Sequence, residues 1–284
     1  MPVTAKQQIV AFPSGEKVPA LGLGTWRMGE NKRHRADEIG ALRSGIDLGM
    51  TVIDTAEMYG DGATEELVGE ALEGRRDQVF LVSKVLPNHA RRSQVLEACA
   101  ASLERLRTDH LDLYLLHWRG STPLRETVDA FAELVADGRI RRWGVSNFDV
   151  SDMIELVEET PGGKDVACNQ VLYNLTRRGI ELELLGWCRE RRIPIMAYSP
   201  IEQGRLLRNK AVKRIADKHN ATPAQICLAW VLRQRSVIAI PKAGTTEHVR
   251  ENHNALAIEL TTDDLRELDE AFPAPRERQS LEMI

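Results

Sequence analysis

The sequence predicts an α/β protein, a (β/α)8 TIM barrel with a short N-terminal β-hairpin capping its floor. Three observations carry that prediction. Short apolar runs alternate with amphipathic ones along nearly the whole chain. The strand–helix units fill about 250 residues, the usual size of this barrel. Nearly every predicted strand also ends on a polar side chain, as strands do where a barrel opens to its site. No linker, low-complexity stretch or repeat interrupts the pattern, so residues 1–284 are expected to form a single domain.

Each element has its own reason. "QIVAFPSGEKVPAL" sets a Ser-Gly turn between two short apolar arms, which predicts the hairpin. Barrel strands are predicted at 21–24 (LGLG), 51–54 (TVID), 79–84 (VFLVSK) and 111–117 (LDLYLLH). The remaining four fall at 141–147 (RRWGVSN), 166–170 (VACNQ), 193–199 (IPIMAYS) and 237–242 (VIAIPK). Leu96, Cys99, Leu103 and Leu106 recur at three and four, as the buried face of a helix must. Leu124, Val128, Phe131 and Val135 repeat that pattern, with Gly138 placed to stop the helix. Thr222-Pro223 reads as an N-cap followed by proline at the first helical position. Further helices are expected from about Thr246 and over 262–271.

Composition excludes several classes. The chain has 284 residues, 43% of them hydrophobic, and a net charge of −4, so nothing marks a nucleic-acid footprint or a membrane-surface patch. The densest basic group, Arg189 to Arg192, reads as a solvated helix end. No apolar run approaches the roughly 20 residues of a membrane span, and "MPVTAKQQIV" lacks the apolar core of a signal peptide. Cys99, Cys168, Cys188 and Cys227 lie far apart in apolar segments, without metal spacing or a CxxC pair. Free buried thiols in a reducing cytoplasm are expected, and no metal.

The strand ends carry the chemistry. Asp54 closes the second barrel strand, Lys84 the third and His117 the fourth. Ser146 and Asn147 close the fifth, Gln170 the sixth, Tyr198 and Ser199 the seventh, and Lys242 the eighth. In a parallel barrel all of these meet at one mouth. If Asp54 pairs with Lys84 and Lys84 lies beside Tyr59, the cation should favour phenolate and pull the tyrosine pKa below about 10. Such a tyrosine can protonate an oxygen that is becoming an alkoxide. His117 can polarise the same carbonyl. The set therefore suits carbonyl reduction, provided that something delivers hydride.

The stretches "LGLGTW", "DTAEMYG", "VSKV", "LDLYLLHW", "WGVSNF", "CNQVLYN", "AYSP" and "IPKAG" together resemble the aldo-keto reductase family over essentially the whole chain. The resemblance is strongest to short bacterial members that reduce methylglyoxal and related aldehydes. It implies an NAD(P)H-dependent enzyme of the aldehyde reductase, or alcohol dehydrogenase (NADP+), type. Asp54, Tyr59, Lys84 and His117 would be the catalytic tetrad, with Tyr59 the acid. Ser146, Asn147 and Gln170 would hold the nicotinamide carboxamide, and Tyr198 would stack on its ring. Gly24, Thr25 and Trp26 would lie beside the same face, as would Asp54, Ser199 and Pro200. "GLGTWRMG" is not a dinucleotide fingerprint, because its glycine spacing is wrong. Lys242, Ala243, Gly244 and the following helix would instead hold the nucleotide phosphates. The family often has serine and arginine where Ala243 and His248 stand, so the match to NADPH is weakened and NADH is also admitted. Asn252 would meet adenine.

Trp26 and Trp118 match positions that flank a small carbonyl substrate beside Tyr59 and His117. The segment "PAPRERQSLEMI" is short, which predicts an open pocket. A monomer is expected. Two other readings compete with the reductase. Lys84 could form a Schiff base in a barrel lyase, or the chain could bind cofactor as a non-catalytic regulatory subunit.

Overall fold

The computed structural model describes residues 8–284; the part of the N-terminal segment before residue 8 lies outside the described residues. Strands β1 (Ile9–Ala11) and β2 (Lys17–Pro19) pair antiparallel, and Gly15, at φ 85°, makes the turn between them. Eight parallel strands follow: β3 (Leu23–Gly24), β4 (Val52–Asp54), β5 (Phe80–Val85), β6 (Leu113–Leu116), β7 (Trp143–Ser146), β8 (Asn169–Leu172), β9 (Ile195–Tyr198) and β10 (Val237–Ala239). They pair in chain order from β3 to β10. The seam between the first and last is closed by bridges Leu21↔Ala239 and Gly24↔Lys242, and by the Gly22 amide donating to the Ala239 carbonyl at 2.8 Å. These strands are almost wholly buried and mostly apolar, as strands covered on both faces should be, apart from polar residues such as Asp54, Lys84 and Gln170.

Glycine makes the seam possible. A Cβ on Gly24 would sit 2.5 Å from the Ile240 carbonyl oxygen, and one on Gly22 would sit 2.8 Å from the Val52 carbonyl oxygen. The backbones of β3 and its neighbours could not approach so closely with side chains there.

The helices wrap this barrel. They include α1 (Arg35–Asp47), α2 (Ala63–Ala71), α3 (Arg92–Leu106) and α4 (Leu124–Ala136). Shorter helices follow, α5 (Val150–Ile154), α6 (Leu184–Glu190) and α7 (Lys210–Lys218). α8 (Pro223–Leu232), α9 (Thr246–Asn254) and α10 (Thr262–Ala271) complete the shell. Thr222 caps α8 in a reciprocal capping box with Gln225, and Thr261 does the same for α10 with Asp264. Gly138, at φ 73°, follows α4 and ends it. One expected core residue is misplaced by the sequence pattern. Val135 is exposed and Leu134 is buried instead, because the helix face drifts at 100° per residue rather than holding a strict heptad step.

The hairpin plugs the end of the barrel where the strands begin. Phe12 stacks on Phe80, the first residue of β5, at 5.1 Å between ring centroids. The Arg142 guanidinium, just before β7, lies 5.8 Å from Phe12 and 5.3 Å from Phe80, and pairs with Glu16 of the turn. Removing the Phe12 ring should cost about 3 kcal/mol and lower the melting temperature by roughly 5–10 °C. Because the polar strand ends lie at the other end, Phe12→Ala should keep wild-type turnover where it remains folded. Calorimetry and a rate assay on one sample check both halves.

Candidate active site

Alternation along β5 decides which way each side chain points. Ser83 faces outward and donates to Glu65 of α2 at 2.5 Å, while Lys84 faces the barrel axis and is wholly buried. Its ammonium donates to Asp54 Oδ2 at 2.8 Å, to the Thr55 carbonyl at 2.8 Å and to the Tyr59 hydroxyl at 3.2 Å. All three ammonium protons are thus used. Asp54, at the end of β4, is held on its other oxygen by Gln170 Nε2, reaching across from β8 at 2.7 Å. Tyr59 sits in the turn Tyr59–Gly62 that follows β4. The neighbouring Glu57 takes no part, since its carboxylate accepts from the Leu86 amide at 2.7 Å and contacts His89 at 3.0 Å. His117 follows β6 directly and meets Tyr59 edge to face, with ring centroids 5.9 Å apart.

The electrostatics follow from burial. Burial drives His117 down to about 2, with the Lys84 charge adding to it, so the imidazole is neutral throughout the working range of pH. Its Nδ1 is buried without a partner, which leaves Nε2 as the nitrogen that can meet a ligand. Lys84 is raised: burial opposes its charge, but Asp54 and then Tyr59 outweigh it. Tyr59 departs from the sequence expectation. Burial raises it above 10, and the Lys84 cation pulls against that without reversing it. The acid is therefore protonated at neutral pH.

A cavity of about 680 Å³ opens above this group. Its lining includes Gly24, Thr25, Trp26, Asp54, Tyr59, His117, Trp118, Ser146, Asn147, Gln170, Tyr198, Ser199, Pro200 and Lys242. Ala243, Gly244, His248 and Asn252 are not among its lining residues. Ala243 and Asn252 are buried, and His248 is exposed on the first turn of α9. Lys242 lies three residues past β10 rather than closing it, and it bridges to Gly24 at the mouth. Gln170 stands inside β8, not at its end.

Asn147 lines the cavity and is also bonded within the protein. Its amide donates to the His117 carbonyl at 3.0 Å and to Ser146 Oγ at 3.2 Å, and it accepts from the Tyr198 hydroxyl at 2.9 Å. It therefore fixes the loop after β7, in a left-handed conformation at φ 58°. Met283 and Ile284 of the C-terminal segment line the cavity and form part of its wall. Sequence reasoning also passed over Arg27, Met58, Ile201, Gln203, Gly204, Ile240 and Pro241, which complete the lining. Apolar Leu281, Met283 and Ile284 in an otherwise polar stretch were a usable signal for the C-terminal wall.

Parallel strands that bring a buried lysine–carboxylate pair, a tyrosine and a neutral histidine to one cavity mouth define a barrel oxidoreductase. The chain belongs to the aldo/keto reductase family, whose profile matches residues 20–272. It is 52% identical to methylglyoxal reductase YeaE of Escherichia coli K12, over 98% of this chain and 100% of that protein. A glyoxal reductase of Bacillus subtilis is 35% identical over 94% of this chain and 93% of its own length. An aldo-keto reductase from Klebsiella pneumoniae, solved in complex with NADPH, superposes with a TM-score of 0.96 at 51% identity, covering 98% of this chain and 100% of that one.

The buried pair makes a prediction independent of turnover. Lys84→Met leaves the Asp54 carboxylate buried with Gln170 as its remaining partner, which should cost about 3–5 kcal/mol. Adding Asp54→Asn removes the stranded charge and should recover much of that loss. Denaturant unfolding of the two single variants and the double variant measures the coupling; additive losses would contradict it.

Proposed function

We propose that this protein is an NADPH-dependent reductase of small aldehydes and 2-oxoaldehydes of the methylglyoxal type. The observation that carries the proposal is the Tyr59 hydroxyl, 3.2 Å from a fully buried, triply bonded Lys84 at the base of the cavity. The names of the E. coli and B. subtilis relatives and the NADPH complex of the Klebsiella protein support it.

The residues fit a nicotinamide. Tyr198 presents a flat ring to the cavity. Gln170 commits Nε2 to Asp54 and Met196, which leaves Oε1 to accept from a carboxamide, and Ser146 supplies a hydroxyl beside it. Gly24, Thr25, Trp26, Asn147, Ser199 and Pro200 frame the same space. Lys242, Ala243, Gly244, His248 and Asn252 would hold the nucleotide end beyond the cavity. When bound, the reduced cofactor supplies hydride. Tyr59 gives its proton to the carbonyl oxygen as charge develops there, and Lys84 stabilises the phenolate left behind. Neutral His117 orients the same oxygen through Nε2. Trp26 and Trp118 bound the substrate.

Alternatives fare worse on the same geometry. A Schiff-base lysine must reach its neutral amine, whereas Lys84 is raised, buried and fully bonded. A purely regulatory subunit has no use for this arrangement of acid, cation and histidine. We also infer a cytoplasmic monomer. All four cysteines are free and buried, and no described helix is long and apolar enough to cross a membrane. Among the described residues, four of the seven exposed large hydrophobics, Trp26, Met58, Met283 and Ile284, line the cavity, and the other three lie apart in sequence, so these residues offer no broad apolar face to a partner.

Tyr59→Phe keeps the ring and removes the acidic hydrogen. Aldehyde reduction, followed as NADPH oxidation, should fall ~10²- to 10⁴-fold while NADPH still binds; activity within a few-fold of wild type would exclude Tyr59 as the acid. Lys242→Ala should raise KM for NADPH far more than KM for NADH, because only the former carries a 2′-phosphate for the ammonium to meet.

A further inference from the structure

We propose that Arg177 clasps the loop after β9 to the C-terminal segment and so couples cofactor occupancy to the wall that receives the carbonyl. The proposal rests on the reading of the cavity as an NADPH and carbonyl site.

One guanidinium holds both parts. Arg177 donates to Glu202 Oε1 through Nη2 at 3.0 Å and Nε at 3.3 Å, and through Nη1 it pairs with Glu282. Glu202 is buried, and Asn174 secures its other oxygen at 2.7 Å while also donating to the Ser199 carbonyl at 2.9 Å. The two segments joined in this way line the same cavity. Ser199, Ile201 and Gln203 come from one, and Met283 and Ile284 from the other.

The loop is held in a conformation that it would not choose alone. Ser199, Glu202 and Gln203 lie at φ 47°, 49° and 54°, followed by Gly204 at 84°. Three non-glycine residues in the left-handed region within five positions persist only where their surroundings over-determine them. Here the surroundings are Asn174 and Arg177. The far side of the clasp is lighter. Glu282 is half-exposed, and Leu281 packs against the core beside it. Arg278 adds a contact to Glu183 at 3.5 Å.

The consequence is a linkage. A nucleotide that settles against the loop fixes Glu202, which fixes Arg177, which holds Glu282 and the two apolar residues that follow it. Free loop motion would be transmitted in the same way, loosening the wall. Coupling of this kind is reciprocal: a carbonyl ligand that tightens the wall must tighten the nucleotide by the same factor.

Glu282→Gln tests this without touching the cavity. It removes the charge that Arg177 holds, at a half-exposed position, so the fold should survive; a thermal melt confirms that. In the wild type, NADPH should slow backbone hydrogen exchange in residues 279–284. In Glu282→Gln that response should vanish, with the Kd for NADPH and kcat within about two-fold of wild type. KM for methylglyoxal should rise by at least about five-fold, the low end of ordinary coupling. An unchanged KM, with exchange in 279–284 still responding to NADPH, would overturn the clasp. Failure of the wild type itself to bind NADPH would overturn the cofactor reading on which the clasp depends.

Discussion

The ion pair between Lys84 and Asp54 is the constraint that the rest of the site depends on. An ammonium at the centre of a barrel is tolerable only when fully partnered, and here it is, by a carboxylate, a backbone carbonyl and a phenol. Asp54 is just as fully engaged, because Gln170 reaches across from the far side of the barrel to its second oxygen. The cation is thereby fixed in place, and two neighbours take their states from it. Tyr59 is aimed by it, and His117, already desolvated, is kept neutral partly by it.

The scaffold makes that placement unavoidable. On β5 the outward neighbour Ser83 is tied to Glu65, whose other oxygen accepts from Arg105 at 2.7 Å, so the strand cannot slip without breaking a second buried network. A slip of one residue would exchange the two faces and put Ser83 in the barrel. The loop after β4 is tied in the same manner. Thr25 donates to the Asp54 carbonyl from one side at 2.8 Å, and Glu57 anchors the other side to the start of the β5–α3 connection.

The sequence made the clustering of Asp54, Lys84 and His117 legible for a simple reason. Asp54, Lys84 and His117 each end an apolar run that has no local use for a polar side chain, and a parallel barrel brings such ends together. What depends on tertiary contacts was not legible. The direction of the Tyr59 shift turns on burial, which no spacing reveals. Nor does any spacing show that Asn147 is held by His117, Ser146 and Tyr198. The burial of Glu202 against Arg177 is another contact that no local pattern announces. The C-terminal wall carried a signal in Met283 and Ile284, but its position over the mouth rests on Arg177 and Leu281, which lie far from the tetrad in sequence.

A tyrosine held above its ordinary pKa is a weaker acid than a free one, yet for the proposed reduction it is the right choice. Before reaction the site needs a proton in place, and burial ensures that the phenol keeps it. During reaction the requirement reverses, since the phenol must become a phenolate as the alkoxide forms. That new anion would appear 3.2 Å from a cation already in position. In a desolvated site the attraction between the two is several-fold stronger than in water, and no solvent must reorganise to supply it. The stabilisation is thus small while the tyrosine is neutral and large only once it has given up its proton. Burial and Lys84 oppose each other in the resting protein, but they act at different stages: one holds the proton ready, and the other lowers the cost of losing it.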